Sequence, residues 1–148
     1  MKRLATFAMI AAIGLAAPAS AQTFGSVNLR AGFTPDPYRT TVTSGGSIAA
    51  SSLFNNCTGW VADNVDFAVY YTAGSFNLTF SASSNADTTL IIQAPNGNWY
   101  CDDDSGNGLN PMVTIGNPTS GRYSVWIGSY RQGEFAQSTL SVSEIGRQ

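Results

Sequence analysis

Apolar and polar residues alternate in short runs along most of this chain, and each run is cut off by Gly, Pro, Asn or Ser. Val65, Phe67, Val69 and Tyr71 fall on one face of such a run. After Ala73 and Gly74, the apolar set Phe76, Leu78, Phe80 and Ala82 recurs with Asn77, Thr79 and Ser81 opposite. A period of two belongs to a strand with one covered face, and no stretch carries the 3.6-residue period of a long helix. Further strands are expected at 26–33, 39–43, 47–51, 88–93, 99–101, 112–115, 123–129 and 138–143. Pro35 and Pro37 end the first of them, because proline cannot donate to a ladder, and 55–63 reads as a loop. Some eight or nine short strands with no helix describe an all-β chain, best accommodated as an antiparallel β-sandwich.

The first residues stand apart from this pattern. Lys2 and Arg3 precede an apolar run from residue 4 to 17, and Ala19-Ser20-Ala21 has the small-x-small form of a cleavage site. A bilayer span needs about 20 apolar residues, so 1–21 reads as a signal peptide and 22–148 as one secreted or periplasmic domain. No later stretch is expected to span a membrane. Beyond residue 21, five arginines face nine carboxylates with no lysine, a net charge of −4. That balance argues against nucleic acid, whose phosphates need a basic patch.

Export also bears on Cys57 and Cys101, the two cysteines of the chain. Disulfides persist outside the cytosol, and the chain has no histidine to make either thiol a nucleophile or a zinc ligand. A Cys57–Cys101 bridge is expected. The missing histidine also excludes Ser-His-Asp chemistry, and the absence of lysine beyond residue 2 excludes Schiff-base chemistry. The reading is therefore non-catalytic. Paired carboxylates leave one enzymatic alternative, a small glycan hydrolase; a protease inhibitor is a further one.

Asp102-Asp103-Asp104-Ser105-Gly106-Asn107-Gly108 is the segment with the most specific chemistry. Calcium takes six to eight oxygens from carboxylates, amides and backbone carbonyls, and the glycines let the backbone turn inward. The spacing is not that of an EF-hand, and an exposed solvated acidic turn is the plain alternative. Pro95-Asn96-Gly97-Asn98 is a turn signal, so 88–93 and 99–101 should pair as a hairpin. That geometry sets 88–92 opposite 101–104 and brings Asp87 to the same end as the acidic run. Asp87, Asp102, Asp103, Asp104 and Asn107 are the candidate metal ligands. Trp60, Trp99, Trp126, Tyr70, Tyr100 and Tyr130 could form an exposed platform for sugars, whereas Phe67, Phe76, Phe80 and Tyr123 fall on apolar faces and belong to the core. Trp99 and Trp126 could equally pack beside the disulfide.

Taken in order, Asp87-Thr88-Thr89-Leu90-Ile91-Ile92, Pro95-Asn96-Gly97, Asp102-Asp103-Asp104-Ser105-Gly106 and Gly121-Arg122-Tyr123-Ser124-Val125-Trp126-Ile127-Gly128-Ser129-Tyr130 resemble the bacterial pre-peptidase C-terminal domain. The likeness covers about 65–130. It implies a jelly-roll-like sandwich, usually appended to secreted proteases, with calcium bound in some members and collagen or polysaccharide in others. On that resemblance Asp87 and the run from Asp102 to Asp104 match metal-ligand positions, and a polysaccharide or a secreted protein is the implied partner. The cysteine pair and the 32–37 segment depart from the family pattern, as does the lack of a protease domain.

Overall fold

The computed structural model describes residues 23–146; the leader read at 1–21 lies outside them. Two sheets of seven and four strands face one another. The smaller sheet has the order β2 (Tyr38–Thr43), β11 (Gln137–Ser143), β6 (Leu78–Ser83), β9 (Met112–Ile115), and every pairing in it is antiparallel. The larger sheet is built around β10 (Gly121–Ser129). On one side β10 pairs with β7 (Thr88–Gln93), which pairs with β8 (Trp99–Asp102). On the other side it pairs with β5 (Phe67–Thr72) and then, at Ser129, with β4 (Trp60–Val61); β1 (Ser26–Arg30) and β3 (Ile48–Ala49) complete the sheet.

The period-two pattern is what fills the space between the sheets. Phe67, Val69, Tyr71, Leu90, Ile92, Tyr123, Val125 and Ile127 point inward from the larger sheet. Val42, Leu78, Phe80, Ala82, Val113, Ile115, Leu140 and Val142 meet them from the smaller one. The opposite phase of the larger sheet builds a second, smaller core. There Ile91 and Trp126 pack with Ala50, Cys57, Val61 and Val65 beneath the 48–61 segment. The Cys57–Cys101 bridge, with its Cα atoms 5.5 Å apart, staples that segment to β8. Gly46 permits the entry to it, since a Cβ there would lie 2.1 Å from the Val61 carbonyl.

Five expectations are corrected. There are eleven strands among the described residues. The 47–51 run shortens to β3 followed by a 3-10 turn at Ala50–Ser52, and the 55–63 loop contains β4. Two-residue strands have no period to read. The sandwich is not wholly antiparallel either: β1 runs parallel to β5, from Ser26 opposite Ala68 to Arg30 opposite Thr72. Between β1 and β5 the chain passes through β2 in the other sheet and through β3 and β4, so no hairpin dictates the direction. Phe76 is not core but 49% exposed; β6 begins at Leu78, opposite Ile115 where its ladder with β9 ends.

Candidate metal centre

The hairpin expected from Pro95-Asn96-Gly97 forms, with Leu90 opposite Asp102 and Gln93 opposite Trp99. Its turn closes through Gly97 N–H to the Ala94 carbonyl, and Gly97 takes the positive φ of 87° that a side chain would resist. At the far end of the hairpin, Asp87 precedes β7 and the acidic loop follows β8. Asn110 holds these two segments together. Its Oδ1 accepts from Ser84 N–H at 2.9 Å and from Thr88 Oγ1 at 3.3 Å, while its Nδ2 donates to the Asn107 carbonyl at 2.9 Å. Tyr130 N–H donates to the Asp87 carbonyl at 3.1 Å, so the end of β10 is tied to the same point.

Of the five residues read as ligands, three converge. One carboxylate oxygen from each of Asp87, Asp103 and Asp104 lies within 4.8 Å of the others. Asp102 bonds to its own loop instead. Its Oδ2 accepts from Ser105 N–H and Met112 N–H, both at 2.9 Å, and its Oδ1 from Ser105 Oγ at 2.6 Å. It therefore closes the loop and anchors the start of β9. Asn107 is exposed, and its backbone oxygen is the acceptor for Asn110.

Like charges crowd the cluster. Burial pushes the Asp103 carboxyl up, and the charges of Asp104, Asp87 and Asp102 add to the shift. Burial also raises Asp87, with Asp104 and Glu134 adding to it and Arg131 opposing. The Oδ1 atoms of Asp87 and Asp103 are buried with no hydrogen-bond donor. Such oxygens suit a hard cation. Two oxygens bound to one calcium at about 2.3–2.6 Å can be no more than about 5 Å apart, and the observed spread satisfies that limit. Beside Asp87 an open cleft of about 590 Å³ is lined by Ala86, Leu109, Arg131, Gly133, Glu134 and Phe135.

The aromatic platform divides. Trp99 stacks on Trp126 with ring centroids 5.7 Å apart and on Phe54 at 6.3 Å, inside the small core beside the disulfide. Tyr70 and Tyr130 remain exposed, while Trp60 and Tyr100 are half-buried. Sequence reasoning missed Asn110 and Asp66. Asp66 is buried and accepts from Ile127 N–H at 2.9 Å, bridging the gap along β10 where β5 has ended and β4 has not begun. Its only signal was a carboxylate flanked by Val65 and Phe67 in a strand-like run.

No family model matches the chain, and no curated protein matches it. Among solved structures it is similar to the pre-peptidase C-terminal domain of a collagenase from Bacillus anthracis, at 16% identity and a TM-score of 0.45. That match covers 85% of this chain and all of the other. It is also similar to Aeromonas hydrophila PliG, a periplasmic inhibitor of g-type lysozyme, at 14% identity and a TM-score of 0.43, over 80% of this chain and 96% of that one. The likeness is one of fold. The family named by the sequence motifs is among these matches. No described helix is long and apolar enough to cross a membrane.

Proposed function

We propose that this chain is an exported, non-catalytic β-sandwich that binds calcium through Asp87, Asp103 and Asp104 and serves as a binding or stabilising domain, an accessory to exported enzymes such as proteases. Its partner is a polysaccharide or a secreted protein. The observation that carries the reading is the convergence of three carboxylates, two with buried oxygens that lack donors. Asp87, Asp103 and Asp104 hold the ion; Asn110 and the Tyr130 N–H position the segments that bear them. A bound calcium offsets most of the cluster's negative charge and locks the 84–88 turn to the 102–110 loop.

Calorimetry with millimolar calcium and with EGTA tests the reading. A ligand at 100 times its Kd adds about 2.7 kcal/mol to stability, and each kcal/mol moves Tm by about 3–6 °C at this size. Calcium should raise Tm by several degrees in the wild type and by much less in Asp103→Asn. An unchanged wild-type Tm overturns the proposal.

One observation favours the hydrolase alternative: Asp87 and Glu134 line the same cleft. A hydrolase would need Asp87 free to exchange protons, which calcium coordination forbids. Cleavage products from a glycan panel, lost in Glu134→Gln, would establish that reading, and binding without products would exclude it.

A further inference from the structure

The acids and the arginines of the larger sheet lie at opposite ends of β10. Ser129 sits opposite Thr88, next to Asp87, whereas Arg122 is seven residues back along the strand, about 23 Å at the usual strand rise. Register partners share a face of a sheet. Asn28, Tyr70 and Arg122 are partners across β1, β5 and β10, so they form one row on the face turned away from the main core, with Arg30 and Thr72 in the next row. The 48–61 segment covers Trp126 and Ile91 on this face. Tyr70, by contrast, is 40% exposed.

Two open hollows flank the Tyr70–Arg122 pair. One, of about 460 Å³, is lined by Asn28, Arg30, Tyr70, Thr72 and Ser120; the other, of about 430 Å³, by Gln93, Pro95, Gly97, Arg122 and Ser124. Neither is lined by a carboxylate. Glu144, which reaches this end of the molecule, is held by the Tyr71 hydroxyl and Gly32 N–H. Arg122 Nε and Nη2 are buried with no acceptor among the described residues. A guanidinium offers a planar fork of donors that matches a carboxylate, and a buried donor without an acceptor is costly, so the Arg122 side chain gains an acceptor by turning its fork outward into the adjoining hollow.

We propose that this face binds an acidic polysaccharide, with uronate carboxylates engaging Arg122 and Arg30. Tyr70 supplies a ring for the apolar face of a sugar, and the amides of Asn28 and Gln93 supply partners for its hydroxyls. Strands lie about 4.8 Å apart, so Asn28 and Arg122 flank Tyr70 across about 10 Å, the width of one or two sugar rings. The two hollows are open and lined mostly by polar residues, unlike the apolar pockets that anchor a peptide side chain. The site is separate from the acid cluster, and calcium is not needed for it.

Affinity electrophoresis in EGTA tests this, with polygalacturonate, neutral dextran, dextran sulfate and polyglutamate as probes. The wild type should be retarded by polygalacturonate above all, and the retardation should fall as salt rises. Arg122→Ala and Tyr70→Ala should each weaken it about tenfold, and Arg30→Gln several-fold. Asp103→Asn should leave it unchanged. Because Arg30 is exposed, its variant keeps the test valid should Arg122→Ala fold poorly. No retardation, equal retardation by dextran, or an unchanged Arg30→Gln overturns the proposal. So does stronger binding of dextran sulfate, which would mean a general polyanion site, or of polyglutamate, which would mean an acidic protein partner. Because EGTA is present throughout, failure here is distinguishable from failure of the calcium reading.

Discussion

Asp66 carries a carboxyl group into the interior, where it meets one backbone donor. Burial pushes its pKa up to about 7 against the partial relief of the Ile127 N–H. An acid raised from 3.8 in this way holds its proton more tightly in the folded state. The native protein therefore binds more protons than the unfolded chain between those pH values, and stability falls as pH climbs through them. Asp66→Asn keeps an acceptor for Ile127 and removes the ionisation. Its Tm should gain on the wild type from pH 4 to pH 8, by several degrees at the upper end, in thermal melts followed by circular dichroism. Parallel curves would show that Asp66 does not titrate in this range. Asp66→Ala leaves the Ile127 N–H without its acceptor and should cost about 1–3 kcal/mol at pH 4, and less at pH 8, where the wild type bears the penalty of the ionised carboxylate.

At the scale of elements, the 48–61 segment behaves as a flap on the larger sheet. Its own strands are two residues each, so its hold depends on the small core around Trp126 and on the Cys57–Cys101 bridge. A bridge spanning 44 residues restricts the unfolded chain by about 4 kcal/mol in the chain-entropy description. The Cys57→Ser, Cys101→Ser double variant should lose about that much in urea titrations. Hydrogen exchange should then show amides of the flap opening ahead of those in β5, β10 and β11. Uniform loss of protection would mean the flap and the sandwich unfold together. The β7–β8 hairpin has a different origin, since Asn96, Gly97 and the flanking apolar runs define it locally. Its register was readable for that reason.

The molecule as a whole has two sheets sharing one large core, from which a single cooperative unit is expected. Unfolding enthalpy runs at roughly 0.7 kcal/mol per residue near 60 °C, so one calorimetric transition of about 85–90 kcal/mol is expected. Agreement of the calorimetric and van't Hoff enthalpies supports one unit, and two resolved transitions would refute it. The all-β class, the inward set of Phe67, Val69, Leu78 and Phe80, the Cys57–Cys101 pair and the approach of Asp87 to the acidic loop were all legible in the sequence. Each rests on period-two alternation, on turn chemistry or on the only two thiols present, which act over a few residues or allow a single partner. The parallel edge at β1, the burial of Asp66, the use of Asp102 to close its own loop and the open row of Asn28, Tyr70 and Arg122 became visible only in the tertiary structure. They depend on which distant strands come to lie side by side. An aspartate in a strand, or an arginine just after an Asn-Pro turn, has the same local appearance whatever ends up next to it.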